Sequence, residues 1–193
     1  MANIEVNQDE LSDILNKNGI KLTALCEITG FSSGFLSSAF NHTTDRYGEP
    51  TMFSDAGIDR LNQALPQLAQ RILALAPVFG SEETYTNRWN NTYDPACVDQ
   101  FKNLGKVVSL VYICEQVLGW SKSKRVNVLT SNQKAHGNIT KDDVLKVQLA
   151  LQGIAGVLTS LHIKYNVKKD KRAPVSESGW PVSPRKRMRK RKV

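Results

Sequence analysis

Apolar side chains recur at Ile58, Leu61, Leu65, Leu68, Ile72 and Leu75, in alternating steps of three and four. That spacing marks one face of an α-helix, and it is also the a/d spacing of a heptad. The same six steps return without a gap at Val144, Val147, Leu151, Ile154, Leu158 and Leu161, 86 positions later. Ala64 and Ala69 in the first run match Ala150 and Ala155 in the second. Each run follows a hydroxyl residue suited to cap a helix start, Ser54 before Asp55 and Thr140 before Lys141. Thr140 with Asp143 has capping-box spacing. Pro66, inside the first run, predicts a kink or a new helix beginning there.

A second element precedes each run. Residues 26–35 read CEITGFSSGF and residues 114–125 read CEQVLGWSKSKR. Both open on Cys-Glu and continue to Gly, an aromatic residue and Ser; the cysteines stand 88 positions apart. Two elements in one order, at nearly one separation, indicate an internal duplication. The second copy has one extra residue before Gly119, which leaves room for a longer turn or a later third helix. Its next apolar anchor after Gly119 is expected at Val126.

Each copy reads as helices alone. Residues 9–18 place Leu11, Ile14 and Leu15 on one face and stop at Gly19. Residues 22–29 form a short helix ended by Gly30. Ser32 or Ser33 caps a third helix through Phe40, and residues 41–53 are loop. The predicted fold class is therefore all-α: two tandem small helical bundles followed by a disordered basic tail. The first spans residues 1–78, a linker 79–94, the second 95–167 and the tail 168–193. In the linker, Tyr85, Trp89 and Tyr93 have the spacing of a helical stripe, whereas the surrounding Thr and Asn favour loop. Either way, these aromatics are expected to pack the two halves together rather than hold a ligand.

Charge divides the copies. The chain carries +8 overall, but residues 168–193 alone hold eleven basic and two acidic side chains, a net of +9. Residues 1–80 carry −4, residues 81–94 carry −2 and residues 95–167 carry +5. An acidic first half, a basic second half and a strongly basic tail point to an acidic partner for the latter two.

Two short helices joined by a glycine turn need three things: a small residue at the crossing, a turn residue tolerant of positive φ, and inward apolar anchors. Cys26, Gly30, Phe31, Leu36 and Ala39 supply them. With these residues, positions 22–41 resemble the helix-turn-helix of phage-repressor-type (λ-repressor/Cro-like) DNA-binding proteins, here in two divergent copies. The resemblance implies five-helix domains in which the helix after the turn enters the major groove. It places Ser121, Lys122, Ser123, Lys124, Arg125, Asn127 and Thr130 on that helix in the second copy, with Lys134 and His136 in the loop beyond. Lys and Arg suit phosphates or guanine, and Asn suits adenine. In the first copy it places Ser32, Ser33, Phe35, Ser37, Ser38 and Asn41, with no cation between Lys21 and Arg46. The acidic first domain, residues 1–78, is then expected to hold a protein partner or a second subunit, with the heptad-spaced stripe as one route to a homodimer.

The tail adds Arg185, Lys186, Arg187, Arg189, Lys190, Arg191 and Lys192, an arm suited to nucleic acid without sequence preference. Nothing in the pattern predicts an enzyme, a cofactor or a metal: His42, His136 and His162 are scattered, and no phosphate-cradling glycine loop occurs. Cys26, Cys97 and Cys114 read as core thiols in a reducing compartment, so the sequons at Asn41, Asn90 and Asn138 carry no weight. No apolar run spans a bilayer, and the polar start is unlike a secretory signal. The expected partner is double-stranded DNA, with no membrane. The expected location is cytoplasmic and nucleoid-associated, or nuclear in a eukaryotic host. The competing expectation is a packaging or assembly protein that holds nucleic acid through the tail alone. An RNA-binding role shares the same charge logic.

Overall fold

Asn7 opens the first helix. Its side chain accepts from the Glu10 amide at 2.9 Å while the Glu10 carboxylate accepts from the Asn7 amide at 2.8 Å, a complete capping box at the head of α1, Gln8–Lys17. Leu11 and Leu15 of α1 are buried and Ile14 is half-buried. The next helix, α2, spans Leu22–Thr29 and ends at Gly30, whose φ of 71° lies in the left-handed region. Ser32 then caps α3, Ser33–Phe40. In this computed structural model the described residues are 4–44, 49–81, 84–130 and 139–164.

Ser54 caps α4, Asp55–Ala74, through the Gly57 amide. Pro66 does not end this helix: α4 runs through it as one 20-residue element. Leu61, Leu65, Leu68 and Ile72, on both sides of Pro66, are all fully buried. At about 1.5–3 kcal/mol each, that burial outweighs the roughly 3 kcal/mol an interior proline costs.

The linker is neither a helix nor an irregular loop around its aromatics. A strand at Tyr85–Thr86 pairs antiparallel with one at Thr92–Tyr93. Tyr85 and Tyr93 face each other across the hairpin at 5.5 Å, and Trp89 stands exposed at its tip. The spacing of four arises from a turn closed by Asn87, whose side chain accepts from the Trp89 and Asn91 amides at 3.0 and 3.1 Å. There follow α5, Ala96–Leu104, a π-helical turn at Tyr112–Val117, α6, Lys122–Thr130, and α7, Lys141–Ser160. After α7 the chain forms a last strand, Leu161–Ile163, parallel to a first one at Ile4–Val6. Asn62 of α4 holds that last strand, accepting from the Ile163 amide at 2.7 Å and donating to its carbonyl at 3.2 Å. The described chain is thus mostly helical, as expected. Its strands, two or three residues long, are too short to leave a period-two signal.

The two repeated stripes meet each other. Helices α4 and α7 pack together, and Ile58, Leu61, Leu65, Leu68 and Ile72 join Val144, Val147, Leu151, Ile154 and Leu158 in one buried core. The stripe on α4 therefore does not serve as a homodimer seam; it is filled from within the chain. Nor is it satisfied inside a bundle of its own, because residues of both copies share that core.

A second contact between the copies has a local two-fold. Ile20 and Val108 form an antiparallel bridge. The Lys21 amide donates to the Val107 carbonyl at 2.9 Å, and the Ser109 amide donates to the Gly19 carbonyl at 2.7 Å. The two segments correspond residue for residue at a separation of 88 (19 to 107, 20 to 108, 21 to 109), that of Cys26 from Cys114. Equivalent residues of the two copies exchange equivalent hydrogen bonds.

Candidate nucleic-acid interface

The extra residue of the second copy is absorbed before the turn, not in it. In the first copy the Gly30 amide reaches back four residues to the Cys26 carbonyl at 2.8 Å. In the second, the Leu118 amide reaches five residues back to Ile113 at 3.1 Å, and the Trp120 amide bonds the Cys114 carbonyl at 2.8 Å. One inserted residue in a helix widens it locally to π spacing. Gly119 then takes φ 66°, close to the 71° of Gly30. From there the copies are in step: two residues after each glycine stands a capping serine. The Ser32 hydroxyl accepts from the Phe35 amide, and the Ser121 hydroxyl from the Lys124 amide, both at 3.1 Å. The turn is not longer, and the helix after it does not begin late.

This register reassigns the anchors of α6. Ala39 and Phe40 correspond to Val128 and Leu129, and all four are buried. Leu36 corresponds to Arg125, not to Val126; Val126 is 40% exposed and is not the inward anchor. Arg125 turns back over the π-helical turn, its Nε donating to Glu115 Oε1 at 2.8 Å, with both side chains mostly covered. Lys124 lies over the Trp120 ring, 4.3 Å from its centroid. Trp120 is itself buried and stacks on Phe101 at 6.4 Å with 5° between the planes. Arg125 is therefore engaged within the fold, whereas Lys124 stays exposed with its ammonium over the Trp120 ring.

What α6 does present is narrower. Ser121, Lys122, Ser123, Lys124, Asn127 and Thr130 are exposed, and Arg125 is not. Ser123, Asn127 and Thr130 follow at steps of four and three, so they share one face, with Lys122 beside them. The Thr130 hydroxyl is turned to its own helix, donating to the Val126 carbonyl at 2.5 Å. Lys134 and His136, and the tail residues Arg185, Lys186, Arg187, Arg189, Lys190, Arg191 and Lys192, lie outside the described residues.

The first copy presents a polar, uncharged counterpart. Ser32, Ser33 and Asn41 are exposed, while Ser37 and Ser38 are half-buried. Asn41 donates to the Ser37 hydroxyl at 3.3 Å. Phe35 is half-buried in a ring cluster, 5.2 Å from Phe31 and 5.4 Å from Phe53. The Glu27 carboxylate, counterpart of Glu115, pairs with Arg71 of α4 at 2.6 Å. The repeated Cys-Glu step thus places an acid behind each turn, held by an arginine from a different helix in each copy.

The thiols are held in their protonated form. Burial pushes Cys114 up to about 11 against the opposing pull of Arg125, and pushes Cys97 up to about 12 with the Asp94 carboxylate adding to the effect. Burial also raises Cys26. Among the described residues no group of three His, Cys, Asp or Glu side chains is placed to hold a metal ion. No helix among them is long and apolar enough to cross a membrane.

The features that sequence reasoning passed over are structural supports. Asp94 is fully buried and accepts from the Gly80, Ser81 and Ala96 amides at 2.8–2.9 Å and from the Ser81 hydroxyl at 2.5 Å. Its signal was the Asp94-Pro95 step ahead of a helix. Glu115 carried a signal too, its repetition as Glu27. No family model, curated protein or solved structure matches the chain.

Proposed function

We propose that this protein binds double-stranded DNA without catalysing a reaction, as a regulator of phage or mobile-element type. In this reading α6 is the groove-facing helix and the basic tail is a sequence-independent arm. The observation that carries the reading is the exposed Lys122–Ser123–Asn127 edge of α6, set by a left-handed glycine and a capping serine as in the first copy. A cation for phosphate, a hydroxyl and an amide on one short helix match the chemistry of groove recognition. The two turn–helix units, each a left-handed glycine followed by a serine-capped helix, support that reading.

A second reading draws on a specific observation. Arg125 is paired inside the fold and the exposed Lys124 lies over the Trp120 ring, which leaves only Lys122 of the three α6 cations clear of these contacts. A protein that held nucleic acid only through residues 185–192, as a packaging protein would, fits that economy of charge.

Selection from a random duplex pool, followed by gel shifts, separates the two. The regulator reading expects an enriched motif whose binding falls at least tenfold in Lys122→Ala/Asn127→Ala. Tail deletion should weaken all sequences alike. No enriched motif, with all binding lost on tail deletion, would favour packaging and defeat the regulator.

A further inference from the structure

The reciprocal hydrogen bonds about Ile20 and Val108 relate residues 19–21 to residues 107–109 by a local two-fold, and α4 and α7 pack on each other through equivalent stripes. A two-fold puts equivalent points at the same height along its axis. Extended to helices α3 and α6, the equivalents after the two glycine turns, that two-fold would put them at one end of its axis and on opposite sides of it. Two-fold repressor dimers present their reading helices in this relation, to half-sites one helical turn (about 34 Å) or a multiple of it apart.

We propose that one molecule of this protein is the covalent equivalent of such a dimer: it binds a duplex one-to-one, with α6 on one half-site and α3 on the other. The inference rests on the DNA-binding reading above. It goes further in assigning α3 a contact and in making the target asymmetric. The α6 side offers Lys122, Ser123 and Asn127, so it neutralises phosphate as well as donating hydrogen bonds. The α3 side offers Ser32, Ser33 and Asn41, hydroxyl and amide groups without a cation. Only the α6 half-site should therefore release counterions, and the salt dependence of the folded part should report that half alone. The parallel pairing of the first strand with the last, joined at Ile4–Leu161, has no equivalent elsewhere among the described residues and locks the two unlike halves together.

The test uses the full chain and the duplex enriched from a random pool. Stoichiometry is read by sedimentation and contacts by hydroxyl-radical footprinting, for the native protein, Ser33→Glu and Ser123→Glu. Both serines are exposed in the first turn of a helix, where a carboxylate favours the fold, so weakened binding would not report unfolding. The expected result is one protein per duplex with two protected patches of unequal strength. Ser33→Glu should erase the weaker patch and lower affinity about three- to tenfold; Ser123→Glu should erase the stronger one and lower affinity more. Two molecules per duplex, or a single patch untouched by Ser33→Glu, would overturn the inference while leaving DNA binding by α6 intact. Binding that survives both variants and vanishes on tail deletion would overturn the DNA-reading role of α6 and this inference together.

Discussion

Arg125 of α6 donates from Nε to Glu115 across ten residues at 2.8 Å, in the place that the first copy gives to Leu36. A cation thus fills a core-facing position and is neutralised there. Glu115→Gln should release the guanidinium and remove a carboxylate from behind the α6 edge. Affinity for duplex DNA at low salt should rise about two- to fivefold, at a stability cost of about 0.5–1.5 kcal/mol. Gel shifts and urea titration read both. Unchanged affinity would mean that Arg125 does not limit binding.

The shared core makes the copies one cooperative unit. Leu65→Ala on α4 and Leu151→Ala on α7 sit at equivalent stripe positions, and both are fully buried. Each should cost about 2–5 kcal/mol. In both variants, Trp fluorescence, to which the buried Trp120 of the second copy contributes, should move together with far-ultraviolet circular dichroism. Two separate transitions in Leu65→Ala would show that the halves fold independently.

Glycine to alanine should have opposite signs at two sites. At Gly19, φ is 64° and an added Cβ would overlap the Tyr112 side chain, beside the carbonyl that accepts from Ser109. Gly19→Ala should cost at least about 2 kcal/mol and loosen the contact between copies. At Gly153, inside α7, an added Cβ meets open space. Gly153→Ala should stabilise by about 0.5–1 kcal/mol. Chemical denaturation of the two variants side by side checks the contrast.

Asp94 ties the segment at Gly80 and Ser81 to the start of α5. Burial works to raise its pKa, yet the Ser81 hydroxyl and the Ser81, Gly80 and Ala96 amides together hold it below the usual carboxylate range. A carboxyl with a depressed folded pKa stabilises above its unfolded value near 3.9, and loses that contribution as pH falls through the lower folded value. Asp94→Asn should cost about 1–3 kcal/mol at pH 7. The gap from the native protein should shrink below about pH 4. An equal gap at pH 3 and pH 7 in urea titrations would show that the carboxylate charge is not what stabilises this junction.

The helix ends were legible because their causes are local. Gly30 and Gly119 adopt the left-handed turn, and Ser32, Ser54 and Thr140 cap as their side chains dictate. The two long helices were legible because each stripe kept a helical spacing. Which surface each stripe faces was not, since periodicity gives the face of a helix and not its neighbour; packing α4 on α7 decided that. The extra residue of the second copy was visible as a count, but only the backbone shows it spent in a π turn, which makes Arg125 rather than Val126 the equivalent of Leu36. The hairpin at Tyr85 and Tyr93 and the strands at Ile4 and Leu161 were hidden for the same reason. Their pairing joins residues far apart in the chain, or depends on one asparagine side chain closing a turn, and neither leaves a periodic trace.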